Sequence, residues 1–329
     1  MARRPGLAVT LLLAGLGAAG AAGTAIDQDK GDRPLPQPAT TEERAPLPDF
    51  DPARFGKQID EAYGAYQRGL YKTAYNLALP RARNGDPAAQ TLVAELLARG
   101  LGVPVNAKEA ARWYAAAAER GVPEAQFQYA LMLLDGNFVP KDEKEAHALM
   151  QAAAEAGNAL AQFNFAQLLV KENPNDLSRA TDYYERAAEA GIADAQYALA
   201  QVYANGVGGR EQDDVRARGL LEKAARQNFD TAQLDFAQWL IEGRGGARDY
   251  EKGFNWMQMA ARGGNVAAQN RLAKLYVTAL GTEPDPILAA AWYIVARRAG
   301  LIAREMEDYL QGLTDQQLQE AVQRANRLP

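Results

Sequence analysis

Apolar residues recur at helical spacing along most of this chain, in short bursts, and the bursts themselves repeat. One burst carries an alanine and two bulky residues at i, i+4 and i+8: Ala89-Val93-Leu97, Ala125-Tyr129-Leu133, Ala161-Phe165-Leu169, Ala195-Leu199-Tyr203, Ala232-Phe236-Leu240 and Ala268-Leu272-Tyr276. That spacing puts one apolar stripe on an amphipathic helix, here helix A. A second burst follows each time with a bulky pair: Trp113-Tyr114, Leu149-Met150, Tyr183-Tyr184, Leu220-Leu221, Trp256-Met257 and Trp292-Tyr293. In all but the last unit a small pair comes next, from Ala117-Ala118 to Ala260-Ala261. Alanine beside bulky residues lets two helices approach closely while the large side chains fill the gaps, which predicts a helix B packed on helix A.

Glycine punctuates the pattern. Gly85, Gly121, Gly157, Gly191, Gly264 and Gly300 close successive units, and Asn228 fills the one gap. Both residue types tolerate the left-handed conformation that ends a helix, so this column is expected to cap helix B. A second column, Gly100, Gly136, Gly206 and Gly243, is expected to end helix A.

The dipeptide Ala-Gln keeps the register. Its glutamines, Gln90, Gln126, Gln162, Gln196, Gln233 and Gln269, lie 36, 36, 34, 37 and 36 residues apart. A period of that length means one supersecondary unit stacked along the chain. The predicted fold is all-α: an αα-superhelix, a right-handed solenoid of about seven helix-turn-helix repeats over residues 53–300, closed by a C-terminal helical cap over 301–329. The first unit, Phe55 to Gly85, is a shortened form carrying Ala62, Tyr66, Gly69, Tyr71 and Ala74. The unit holding Ala161-Gln162 should end its helix A near Asn173-Pro174. In the cap, Leu301–Leu310 and Thr314–Asn326 read as two helices, the second opened by a Thr314/Gln317 capping box. Their apolar residues Met306, Leu310, Leu318 and Val322 are expected to cover the last repeat.

These columns resemble the Sel-one-like repeat (SLR) family, tetratricopeptide-like helical repeat proteins of bacteria. Gly100-Leu101-Gly102-Val103, Ala110, Trp113-Tyr114, Ala117-Ala118 and Gly121 carry its pattern almost intact, and the likeness runs from about Phe55 to Gly300. The resemblance implies a superhelix used for protein–protein contact. A cysteine-rich branch of that family has a disulfide in each repeat and β-lactam-related activity. This chain departs from that branch because it has no cysteine.

The N-terminus reads differently from the repeats. Arg3 and Arg4 precede an apolar stretch, Leu7 to Leu16, and small residues lead to Gly23-Thr24-Ala25. This is the layout of a signal peptide over residues 1–25, which would make the protein periplasmic or secreted. Membrane contact follows only if the segment stays uncleaved. Residues 26–52, with Pro34, Pro36, Pro38, Pro46, Pro48 and Pro52, have too little apolar surface to offset chain entropy and read as a disordered linker. The missing cysteine removes disulfides and lipidation at the cleavage site. A formal charge of -5 argues against nucleic acid, whose phosphates need a basic face.

Chemistry is sparse. His147 is the only histidine and reads as a surface residue; alone it makes neither a zinc site nor a triad. Glycine-rich stretches follow helices instead of strands, so they do not cradle phosphate. Asp142-Glu143 and Asp213-Asp214 read as solvated loop carboxylates. No catalytic residue, metal ligand or cofactor is expected. A binding surface is expected along the concave face of the A helices, at Glu95, Arg99, Gln128, Leu131, Asn164, Gln167, Lys171, Gln201, Asn205, Asp235, Gln238, Arg271 and Lys274. Amides such as Gln167, Gln201 and Gln238 donate and accept, which suits an extended peptide backbone. Leu92 and Ala198 fall on the same face. The repeated glutamines of the Ala-Gln pairs read as structural. The leading reading is an exported interaction scaffold or regulatory adaptor in the bacterial envelope, binding a protein or peptide. The alternative is an envelope enzyme acting on peptidoglycan or β-lactams.

Overall fold

Each repeat of the sequence pattern becomes one antiparallel helix pair in the computed structural model, which describes residues Asp60–Pro329. The signal-peptide and linker assignments, and the start of the first unit, lie outside the described residues. The pairs are α1 (Glu61–Gln67) with α2 (Tyr71–Arg83), α3 (Pro87–Arg99) with α4 (Ala107–Ala118), and α5 (Pro123–Asp135) with α6 (Glu143–Glu155). They continue as α7 (Ala159–Glu172) with α8 (Leu177–Glu189), α9 (Ala193–Asn205) with α10 (Asp214–Arg226), α11 (Asp230–Glu242) with α12 (Tyr250–Arg262), and α13 (Val266–Thr278) with α14 (Pro286–Arg298). Two further helices, α15 (Arg304–Gln311) and α16 (Asp315–Ala325), follow the seventh pair. Among the described residues there is no strand.

The apolar stripes are buried as expected. Val93, Phe165 and Leu272 are fully enclosed, as are the alanines that open each stripe and a second alanine column, Ala94, Ala130, Ala166, Ala200, Ala237 and Ala273. Helix B presents the second member of each bulky pair inward, from Tyr114 to Tyr293, together with its alanine pair. From α1 to α14 each helix packs on the next along the chain, and α16 packs back on α14, so the core runs along the array with no single centre.

Helix ends follow local chemistry. Gly85, Gly121, Gly157, Gly191, Gly264 and Gly300 take φ between 77° and 94°, and Asn228 takes 63° in the same place. Helix A ends on left-handed Gly100, Gly136, Gly206 and Gly243. In α7 the end is different: Pro174 forces Asn173 into extended backbone at φ -146°, and the Asn173 side chain caps a 3-10 turn, Pro174–Asp176. Five of the seven B helices open on side-chain caps that the sequence reading passed over: Asn106, Asp142, Asp213, Asp249 and Asp285 each accept a hydrogen bond from the first turn. Asp142 and Asp213, read as solvated loop carboxylates, are thus helix caps.

The Ala-Gln glutamines do more than mark helix starts. Each is buried, and each donates its Nε2–H to the backbone carbonyl eight residues earlier: Ala82, Ala118, Ala154, Ala188, Ala225 and Ala261, at 3.1–3.4 Å. Those carbonyls belong to the last turn of the preceding B helix, where each also accepts the N–H of the left-handed capping residue three positions on. One amide therefore stitches every unit to the one before it.

The cap departs from expectation in one respect. Met306 and Leu310 are buried and the Thr314–Gln317 capping box forms, but α16 lays Ala321 and Ala325 against α14 and leaves Leu318 and Val322 exposed. Alanines let α16 approach α14 closely; Val322, one position after Ala321, and Leu318 are left exposed.

Ala279 ends α13 with φ 53°, where the equivalent residue of four other units is glycine. A Cβ costs roughly 1–2 kcal/mol in this conformation. Ala279→Gly is expected to stabilise the protein by about 0.5–1 kcal/mol in urea unfolding, because relief of that strain exceeds the roughly 0.5–1 kcal/mol of chain entropy that glycine adds.

Candidate functional site

The repeat fixes where each helix-A side chain points, so a position two, five or nine residues after each glutamine falls on a common line from unit to unit. The two-residue column is Leu92, Gln128, Asn164, Ala198, Asp235 and Arg271. Leu92 and Ala198 are buried, so this column is not the exposed surface expected of it throughout; it lies at the edge of the helix-A packing. The five-residue column, Glu95, Leu131, Gln167, Gln201, Gln238 and Lys274, is half-buried along its length. In the nine-residue column Arg99, Asp135, Lys171, Asn205, Glu242 and Thr278 are exposed.

Two of the expected residues meet across unit boundaries. Asp235 on α11 accepts hydrogen bonds from Gln201 Nε2 (3.4 Å) and from Tyr197 Oη (3.0 Å), both on α9. Burial pushes the Asp235 carboxyl above the ordinary carboxylate range, outweighing the Tyr197 hydrogen bond, the Arg271 charge and the Gln201 hydrogen bond, which all pull it down. Burial, reinforced by the Asp235 charge, likewise raises the Tyr197 hydroxyl. A carboxyl that binds its proton more tightly when folded gives stability at low pH and loses it as pH rises through its raised value. Asp235→Asn, which keeps an acceptor for Tyr197, is therefore expected to remove that loss. Urea midpoints of variant and wild type should differ more at pH 7 than at pH 4, with the variant the more stable at pH 7.

Other expected residues are already engaged within the protein. Glu95 accepts from Tyr114 Oη at 2.7 Å and pairs with Arg99 Nε at 2.7 Å. Lys274 pairs with Glu305 at 2.5 Å, tying the last A helix to α15. Gln238 donates to Glu242, and the amides of Asn164 and Asn205 return to carbonyls one turn back on their own helices. Gln128, Gln167 and Lys171 make no side-chain hydrogen bond or ion pair among the described residues, and half-buried Leu131 has none to make.

Tyrosine hydroxyls are what the sequence reading missed at this face. Tyr114 belongs to the apolar pattern and Tyr197 to none of its columns, yet both deliver their O–H to a carboxylate on this face. For Tyr114 the signal is a tyrosine at a core column with an acidic residue at a face column; for Tyr197 the sequence carries no such signal. Charged loop residues were also underestimated. Arg210 reaches Glu185 (2.8 Å) and Asp182 (2.9 Å) on α8, and Arg244 reaches Asp214 (2.8 Å) while lying over the Trp239 ring at 4.0 Å. These arginines bridge neighbouring units. His147 is not an open surface group: its side chain is 28% exposed, its ring meets Phe165 edge-on, and Nε2 lies 3.3 Å from Glu172. No helix among the described residues is long and apolar enough to cross a membrane.

The Sel1 repeat family model matches residues 87–122, 123–158, 159–192, 193–229, 231–265 and 266–301. These six matches coincide with the helix pairs from α3–α4 to α13–α14; the shortened pair α1–α2 lies outside them. Among solved structures the chain is similar to a Sel1 repeat protein from Oxalobacter formigenes, with 29% identity and a TM-score of 0.62, over 75% of this chain and 100% of that one. It is also similar to a protective antigen present in uropathogenic Escherichia coli strains that displays an SLR fold, with 26% identity and a TM-score of 0.56. That match covers 78% of this chain and 64% of the other. No curated protein matches the chain.

Proposed function

The chain belongs to the Sel1 repeat family, whose members act as protein–protein interaction scaffolds, and from that premise we propose that it is an exported, non-catalytic adaptor of the bacterial envelope. It holds a protein or peptide along the exposed face of its A helices. The observation that carries this reading is the contrast between columns. Stripe, glutamine stitch and a left-handed cap after helix B recur in every Sel1 unit, whereas the two-, five- and nine-residue columns vary along the array. Packing explains the first set, and the members of the second that are not buried, Gln128, Gln167 and Lys171 among them, are available for recognition. Gln128 and Gln167 bring unspent amides to that face, and the Tyr197–Gln201–Asp235 set offers a fixed polar centre. Export is supported by the arginine, apolar and small-residue order of the first 25 residues.

Affinity capture from envelope extract tests the reading, with the full chain compared against a variant carrying Gln167→Ala, Gln201→Ala and Gln238→Ala. The variant is expected to keep its helical circular dichroism and to lose the captured partner. Full retention by a folded variant rejects the A-helix face. Sequencing the N-terminus of the exported protein is expected to find a start at Ile26, and an intact N-terminus in the native host rejects cleavage there.

A further inference from the structure

Three tyrosines share one column of the B helices: Tyr114 on α4, Tyr184 on α8 and Tyr293 on α14. Two of their hydroxyls are closed in the same way. Tyr114 Oη donates to Glu95, and Arg99 holds that carboxylate. Tyr293 Oη donates to Glu307 at 2.6 Å, and Arg297 Nε holds that carboxylate at 2.9 Å. Tyr203, in another column, repeats the set with Glu185 (3.0 Å) and Arg210 (2.9 Å). Tyr114, Tyr293 and Tyr203 share one arrangement: hydroxyl, carboxylate, guanidinium.

Tyr184 breaks it. Its side chain is 1% exposed, and its Oη has no hydrogen-bond partner among the described residues. Burying a hydroxyl unpaired is costly, so such a group calls for an acceptor. Burial also raises its pKa, so it remains a donor. The columns say which residues stand where its partners would be: Gln167 occupies the place of Glu95, and Lys171 the place of Arg99. Donor and cation are kept and the carboxylate is missing. Gln167 and Lys171 make no side-chain hydrogen bond or ion pair among the described residues, the Lys171 charge reaching Glu143 on α6, while the adjacent acid, Glu172, faces His147. The Phe163 ring, 6.0 Å from that of Tyr184, supplies an apolar wall.

We propose that Tyr184, Gln167 and Lys171 form a subsite for an acidic side chain, Asp or Glu, of an extended peptide lying along the A-helix face. The ligand carboxylate completes the set that Glu95 and Glu307 complete elsewhere. The Gln167 side chain swings aside and donates its amide, the Tyr184 hydroxyl donates from below, and Lys171 supplies the countercharge. A side-chain acid is the occupant, not a peptide C-terminus, because glutamate side chains fill the two closed sites. The subsite rests on the A-helix face being the binding surface.

The test is selection of a phage-displayed random dodecapeptide library on the immobilised full chain. The most enriched peptide is then synthesised with acetylated and amidated ends, in its selected form and with its acids changed to amides. Enriched peptides are expected to share an acidic position, and the amide form to bind about tenfold more weakly. Gln167→Glu fills the column from within, so it is expected to weaken the acidic peptide by about tenfold or more while raising the melting temperature. Tyr184→Phe is expected to weaken the peptide several-fold with helicity intact. Peptides without acid preference, or wild-type affinity in Gln167→Glu and Tyr184→Phe, overturn the subsite. If such peptides still lose binding in Gln201→Ala or Gln238→Ala, the face survives and the subsite alone falls. Peptides indifferent to every variant, or no enrichment at all, overturn both.

Discussion

Gly245→Ala is expected to destabilise the protein by about 3 kcal/mol or more, the sum of backbone strain and overpacking. Gly245 lies in the loop between α11 and α12 with φ +67°, a conformation that a Cβ disfavours. A methyl group there would overlap the backbone carbonyl oxygen of Asp214 and lie 2.8 Å from its carbon and 3.0 Å from the Arg218 Cβ. Those atoms belong to the first turns of α10, in the preceding unit, and backbone inside a capped helix cannot move aside as a flexible side chain can. The same approach recurs where Gly281 meets Tyr250 and where Gly102 would place a Cβ 2.5 Å from the Lys72 nitrogen. The spacing between units is set by this bare contact. Gly264→Ala separates the two contributions, because Gly264 has φ +92° but nothing within 4 Å of an added Cβ. It is expected to cost only about 1 kcal/mol. Urea unfolding of the pair decides: equal losses would mean that the loop-to-helix approach is unimportant.

Phe165→Ala is expected to cost about 3–5 kcal/mol, the usual range for emptying a buried aromatic site. The ring is fully buried on α7 and takes edge-on contacts from Tyr183 (5.0 Å between centroids, 86°) and from His147 (5.1 Å, 71°). Tyr183 belongs to the partner helix in the same unit and His147 to the B helix of the unit before. One side chain therefore supports both a unit and its joint. In an array whose units touch only their neighbours, a weak joint near the middle lets the two halves unfold separately. The urea transition of Phe165→Ala is expected to broaden or split, read by circular dichroism. A single sharp transition shifted by less than about 2 kcal/mol would show that the halves do not depend on this ring.

Much of this architecture was legible because packing repeats and so does its spelling. Alanine columns recur where helices approach, glycine recurs where φ turns positive, and even the substitute Asn228 could be assigned its conformation from its column. Legibility fell where a residue's partner lies in another unit. Asp235 could be placed on the A-helix face by counting, but its acceptance of the Tyr197 hydroxyl, 38 residues back, depends on how adjacent A helices splay. Counting within a helix carries no information about that angle. Leu318 and Val322 fail for a related reason: α16 had no neighbouring copy to show which of its faces was in use, and the smaller alanines took the contact. Polar residues misled in both directions. Asp142 and Asp213 looked solvated and are caps, while Glu95 looked available and is held by Tyr114 and Arg99.

The glutamine stitch has a consequence for how such a chain can change. Its acceptor is a main-chain carbonyl in the last turn of a helix, an atom that every residue type supplies. For this bond a unit does not need to recognise the side chains of the unit it follows; a helix end is enough. Duplication, deletion or exchange of a whole unit preserves the glutamine bond on both sides, while residue-specific contacts such as Arg244–Asp214 and Phe165–His147 have to be matched anew. Length is thus a freely adjustable trait of this architecture, and a lineage can lengthen or shorten its recognition face in single steps of one helix pair.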